Sequence, residues 1–193
     1  LTSDSSKRNE TPMRPWRVVD SSIVLDRKWL TVREERIELP HGGEIDEFHV
    51  IAAPDWTGML ALTDDDHVVM VEQYRHGAGR VSRELPAGVI DAHESALDAA
   101  IRELREETGY EARDWEPLIT INTEPSRHTN RAHFFFGRHA TRVAEQKLDA
   151  SEHIRVVPVP LRDLYPSIER GEIFHGVHVA ALLLAAHRGL IRL

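Results

Sequence analysis

The sequence predicts a mixed α/β sandwich preceded by a small β-sheet. Three observations carry that prediction. Short runs rich in β-branched and aromatic residues recur along the chain, one capped amphipathic helix interrupts them near the middle, and two further helical segments close it. The 193 residues suffice for one or two domains. With 41% hydrophobic and 29% charged residues, the balance is that of an ordinary globular chain, which excludes a disordered or collagen-like one.

Leu1 to Thr11 are polar and aperiodic, with no apolar core for a signal peptide, so residues 1–12 are expected to form a flexible tail. Residues 13–54 read as a β region. Trp16 to Val19, Trp29 to Arg33 and Phe48 to Ile51 have strand composition, and Pro40-His41-Gly42-Gly43 is a turn. A sheet this small has little core of its own, so it is expected to pack on the rest of the chain or on a second copy. Residues 55–193 are expected to form the main domain. Gly58 to Leu62 and His67 to Val71 read as buried strands around the turn Asp64-Asp65-Asp66, followed by a loop from His76 to Ser82. A helix is predicted from Ser95 to Thr108. Strands are predicted at Leu118–Asn122, Ala132–Phe136 and Ile154–Val159, and closing helices near Leu161–Arg170 and Val177–Arg188.

Composition also bounds function. A net charge of -8 disfavours nonspecific nucleic-acid binding, and an acidic protein handling phosphates needs a cation to bridge like charges. The chain has no cysteine, which excludes disulfides, thiolate metal sites and a cysteine nucleophile; a reducing cytoplasm fits best. No apolar run is long enough to span a membrane. Gly-x-Ser-x-Gly, Walker A and Gly-x-Gly-x-x-Gly patterns are absent, and no histidine pair has zinc-helix spacing. His175 and His178 are read as surface or capping groups.

The mid-chain helix carries the chemistry. Ser95 is its N-cap with Asp98 as partner, and Gly109 suits the position just past its end. At 100° per residue Leu97, Ile101, Leu104 and Thr108 form one stripe, expected to face the core, and Glu103, Glu106 and Glu107 form another. Arg102 stands four residues before Glu106 and can pair with it. Three carboxylates within one turn repel one another. They are either a solvated charged face or ligands for a hard divalent cation that also binds diphosphate oxygens.

Context decides between these. Gly88, Glu94, Arg102, Glu103, Leu104, Glu106, Glu107, Gly109 and Tyr110 stand at the spacings G-x5-E-x7-R-E-U-x-E-E-x-G-U, where U is bulky and apolar. This pattern resembles the signature of the Nudix hydrolase family at every position. The resemblance implies a Nudix α/β/α sandwich with a mixed sheet, preceded by a small antiparallel N-terminal β-sheet. It also implies Mg²⁺-dependent hydrolysis of a nucleoside diphosphate linked to another moiety, with Mn²⁺ as a substitute. By the same resemblance Glu103, Glu106 and Glu107 would bind metal, Arg102 would orient the glutamates, and Glu94 would support the loop or an outer ligand.

The flanks narrow the branch. Glu72-Gln73-Tyr74-Arg75 and Glu84-Leu85-Pro86-Ala87-Gly88 are similar to the ADP-ribose pyrophosphatase and nucleotide-sugar hydrolase branch. That resemblance implies a metal-binding carbonyl at Ala87, a phosphate or ribose contact at Arg75, and a ribose or water-mediated metal contact at Glu84. Pro125 stands where the branch carries a proline associated with ADP-ribose, although Ser126 follows it in place of the usual glycine. Family members often use the N-terminal sheet to form an intertwined homodimer and stack adenine on an aromatic from it; Trp29 sits where such an aromatic occurs. A loop before the last strand often supplies the glutamate that activates water, which points to Glu152, with Asp149 or a box glutamate as alternatives. The expected reaction is hydrolysis of ADP-ribose to AMP and ribose 5-phosphate. The alternatives are a broader nucleoside diphosphate sugar hydrolase, acting on GDP-mannose or UDP-glucose, and a non-catalytic nucleotide-sensing module.

Overall fold

In the computed structural model, residues 12–193 are described, and they divide into two compact units, one ending at Ala52 and the other covering Ala53–Leu193. Apart from Pro12, the expected tail lies outside the described residues.

The first unit is one antiparallel sheet in the order β1 (Arg17–Arg27), β2 (Leu30–Glu38), β3 (Glu44–Ala52). Its strands are longer than the apolar runs alone suggested, because ladder pairing carries polar residues such as Ser21 and Ser22 along with their partners Glu35 and Glu34. Trp29, expected inside a strand, lies instead with Lys28 in the turn between β1 and β2, where Arg27 pairs Leu30. The turn to β3 is closed by the Leu39 and Gly43 backbones; Gly42 and Gly43 sit at φ of 91° and 93°, a region open to glycine at little cost.

The second unit is built on two sheets. A mixed sheet has the order β7 (Ala87–Val89), β4 (Trp56–Ala61), β9 (Arg131–Arg142), β8 (Tyr110–Asn122), with β4 and β9 parallel and its other pairs antiparallel. An antiparallel sheet has the order β10 (Ile154–Pro160), β5 (His67–Arg75), β6 (Arg80–Glu84). The continuous apolar runs of β4 and β5 reflect burial on both faces. Leu60, Val68 and Met70 join a cluster that includes Leu164 of α2 (Leu161–Glu169) and Ala181 and Leu182 of α3 (Gly176–His187). Met59, Ala61 and Val69, one residue out of phase, join Ala100 and Leu104 of α1 (Ala96–Thr108). Helices therefore cover both sides, as in an α/β/α sandwich.

Two further sequence expectations need correction. The loop expected over His76 to Ser82 is a short 3-10 turn at His76–Ala78 followed by β6. The core stripe of α1 is rotated: Ile101 is 40% exposed, whereas Ala100, Leu104, Glu107 and Thr108 are buried. One of the three carboxylates thus lies on the buried side of the helix. No helix among the described residues is long and apolar enough to cross a membrane.

Candidate active site

The box helix is held at both ends by local chemistry. The Ser95 hydroxyl accepts from the Asp98 backbone N–H at 3.1 Å and donates to the Asp98 carboxylate at 2.7 Å. Gly109, at φ 73°, closes the last turn by donating to the Arg105 carbonyl. With its ends fixed, α1 presents Glu103 and Glu107 toward Gly88 and Ala87 of β7.

That approach depends on glycine. A Cβ built on Gly88 would collide with the whole Glu103 carboxyl group, so only a residue without a side chain lets the β7 backbone and this acid share the space. Next to it, the Ala87 N–H donates to Glu107 Oε2 at 3.0 Å. Glu107 is 5% exposed, and burial, reinforced by the charges of Glu103 and Glu152, pushes its carboxyl up to about 8. Burial also raises Glu103, with the charges of Glu106 and Glu152 adding to it. These carboxylates repel one another: Glu107 is buried, Glu103 is half-buried, and the charges of Glu106 and Glu152 reach them.

Arg102 is the local counter-charge. Its guanidinium donates to Glu94 at 2.6 and 3.1 Å, to Glu103 at 2.8 Å and to Glu106 at 3.0 Å. The Glu94 hydrogen bonds, followed by those to Glu103 and Glu106, hold its proton more firmly than in a free arginine. Arg102 thereby gathers Glu103 and Glu106, while Glu107 is held separately by Ala87. The donor set on offer is all oxygen, carboxylates beside a backbone turn, which suits a hard divalent cation. A cation would also relieve the repulsion that raises Glu103 and Glu107. On both counts the residues fit Mg²⁺ or Mn²⁺.

A pocket of about 650 Å³ begins at Ala87, Gly88 and Val89 and continues past Arg75 and Glu84 toward Trp56, Phe174, His175 and His178. Glu84 is 1% exposed. Burial alone would raise its carboxyl, but His175 and the Arg75 guanidinium overcome that and hold it well below the usual carboxylate range. Arg75 grips it with three contacts of 2.5 to 3.1 Å. Thr123, Glu124 and His128 form part of the rim. Pro125 is exposed in the same turn but is not among the lining residues.

Of the sequence-derived candidates, Arg75, Glu84, Ala87, Arg102, Glu103, Glu106 and Glu107 come together around β7 and α1. Glu152, in the turn before β10, accepts from the Asp149 N–H at 2.8 Å, and its charge reaches Glu103 and Glu107. Trp29 belongs to the first unit, 59% exposed with the Lys28 ammonium 4.3 Å from its ring centre. The reading of His178 as a surface or capping group is corrected: it is fully buried, and its Nδ1 accepts from the Leu85 N–H at 3.1 Å. Trp56 and Phe174 were not foreseen as pocket residues; Trp56, beside Val89 in the ladder, carried only the signal of an aromatic next to the box strand.

Similarity to known proteins gives the family. The NUDIX domain family matches residues 53–182, and the nucleoside diphosphate sugar hydrolase N-terminal domain matches residues 16–51. The ADP-ribose pyrophosphatase of Bacillus subtilis (strain 168) is 30% identical over 152 residues, covering 78% of this chain and 82% of that protein. The ADP-ribose pyrophosphatase of Mycobacterium tuberculosis is 29% identical over 154 residues, covering 79% and 74%. A crystal structure of an ADP compounds hydrolase shares the fold, with a TM-score of 0.83 over 95% of this chain and 100% of that chain at 22% identity. With a NUDIX domain across more than half its length, this chain belongs to the Nudix hydrolase family, and it is an enzyme of the kind that resembles the ADP-ribose pyrophosphatases.

Proposed function

We propose that the enzyme hydrolyses the pyrophosphate bond of ADP-ribose with Mg²⁺, giving AMP and ribose 5-phosphate. The observation that carries this reading is a pair of carboxylates raised by burial beside the pocket: Glu107, buried on the Ala87 N–H, and Glu103, half-buried against Gly88. Glu103, Glu106, Glu107 and the Ala87 carbonyl would hold the metal. Bound there, Mg²⁺ supplies charge neutralisation for the diphosphate and acidifies water.

The chain's own residues do the rest. Arg102 fixes the rotamers of Glu103 and Glu106, so that the acids are preorganised. Glu152 takes a proton from the attacking water, with Asp149 as the second acid of that turn. The water oxygen bonds to one phosphorus as the bridging P–O bond breaks, and the bridging oxygen leaves on the other phosphate. Arg75, already anchored on Glu84, offers its remaining N–H groups to phosphate or ribose oxygens. Trp29 supplies an aromatic face for the base, Pro125 shapes the rim turn, and the N-terminal sheet mediates a homodimer. The cytoplasm is the proposed compartment.

A substrate panel tests this reading: ADP-ribose, GDP-mannose, UDP-glucose, NADH and diadenosine polyphosphates, each with Mg²⁺, with products identified by mass. Preference for ADP-ribose with AMP as a product supports it. Equal cleavage of all the sugars would replace it with a broad nucleoside diphosphate sugar hydrolase, and ligand binding without turnover would refute catalysis.

A further inference from the structure

The inner part of the pocket holds polar groups that the hydrolytic chemistry does not use. His178 lies on α3 with its ring fully buried against Phe134 and Trp56, at centroid distances of 5.4 and 5.6 Å. Because Leu85 N–H donates to its Nδ1, the neutral ring carries its proton on Nε2. Burial favours that neutral form, pushing the imidazole down to about 3. Nε2 has no hydrogen-bond partner among the described residues. A buried donor left unpaired costs about 1–3 kcal/mol, so its persistence in a pocket wall asks for an acceptor from outside the chain. His175, the residue before α3, covers it: the two rings stack at 4.4 Å and 23°. His175 is half-exposed, and its Nδ1 stands 3.9 Å from the Glu84 carboxylate.

Three ligand chemistries can be compared on this ground. Ligand atoms of Glu84, His175 and His178 come within 4.8 Å of one another, but a metal ion is opposed there. The Glu84 carboxylate is gripped by the Arg75 guanidinium, which would repel a cation, and the His178 Nδ1 lone pair is spent on Leu85. A purine needs an open aromatic face, whereas the Trp56 ring is packed by Phe134 and His178 as well as by His175, and the Arg80 guanidinium lies 3.8 Å over the Phe174 ring. A polyhydroxylated sugar ring meets both needs: its hydroxyls accept from an imidazole N–H and donate to a carboxylate, and its C–H face lies on a ring.

We propose that His178 and His175 determine specificity for the sugar on the far side of the diphosphate. A sugar hydroxyl accepts from His178 Nε2–H and another donates to Glu84, while His175 turns aside and packs against the sugar. The assignment rests on the nucleoside diphosphate sugar reading given above.

The direct test is side-chain ¹H–¹⁵N spectra of the whole protein with Mg²⁺, titrated separately with ribose 5-phosphate and with AMP. Ribose 5-phosphate should shift the His175 and His178 ring signals, and AMP should not. Shifts with AMP alone, or with neither product at saturation, overturn the proposal. In kinetics, His175→Ala and His178→Phe should each lower the ratio of kcat/KM for ADP-ribose to that for the methyl ester of ADP by about tenfold or more; an unchanged ratio overturns it. If His178→Phe fails to fold, His175→Ala on the half-exposed ring still decides. Should wild-type protein hydrolyse neither compound, the functional reading fails, while the titration still decides the sugar pocket by itself.

Discussion

Replacing Gly88 with alanine separates folding from catalysis. The added methyl would overlap the Glu103 carboxyl carbon and both its oxygens by more than an ångström relative to ordinary contact. No backbone atom is among the nearest neighbours, and Gly88 is absent from the positive-φ glycines, so alanine meets no backbone strain. The acid, the end of a flexible side chain, must swing away. Stability should therefore change little, within about 1 kcal/mol. The carboxylate, however, is displaced by about an ångström or more, and misplacement of that size costs on the order of 100-fold in rate. Gly88→Ala should melt near the wild type and lose about two orders of magnitude in kcat/KM for ADP-ribose, with a higher Mg²⁺ requirement. Undiminished turnover would refute the placement of Glu103 in the site, and a collapsed fold would refute the claim that only a side-chain end is in the way.

Three further expectations follow from the same geometry. The Glu107 carboxyl is held near 8 in the folded protein and returns to the ordinary 4.5 on unfolding, so between those values the folded state binds the extra proton and metal-free stability falls as pH rises. Glu107→Gln cannot ionise and can still accept from Ala87 N–H; in metal-free protein its unfolding free energy should exceed the wild type's above about pH 5, by a gap growing roughly 1 kcal/mol per pH unit up to pH 8, and a pH-independent gap in denaturant titrations would contradict this. Arg102→Ala frees Glu103 and Glu106 to repel one another, so kcat/KM should fall about 10–100-fold and half-saturating Mg²⁺ should rise, whereas an unchanged metal titration would remove Arg102 from its orienting role. Trp29→Ala, on an exposed turn, should raise KM for ADP-ribose about 5–100-fold with little effect on Tm if the indole stacks on the base; an unaltered KM denies it that part.

The legibility of these features follows their range in sequence. α1 is written locally: Ser95, Asp98 and Gly109 fix its ends, and the structure shows the same caps. Its buried face was misread because periodicity places the most apolar arc inward, whereas the box turns Glu107 toward Ala87 and leaves Ile101 at the surface. β6 and β7 were missed for different reasons. Arg80–Glu84 is a charged edge strand with little apolar alternation, and Ala87–Val89 is three residues held by pairing with β4. His178 could not be read at all, since the bond that buries it joins Leu85 across 93 positions of sequence. The clustering of Glu103, Glu106 and Glu107 was readable because it repeats along one helix; the pocket floor was not, because β4 and the residues leading into α3 meet only in the fold.

ADP-ribose hydrolysis by wild type, Glu103→Gln and Glu107→Gln, each with and without Mg²⁺ and with products identified by mass, decides whether these carboxylates run a metal-dependent hydrolysis. The wild type should give AMP and ribose 5-phosphate with Mg²⁺ only, and both variants should lose at least two orders of magnitude in rate while remaining folded. Wild-type rates in both glutamine variants would contradict this.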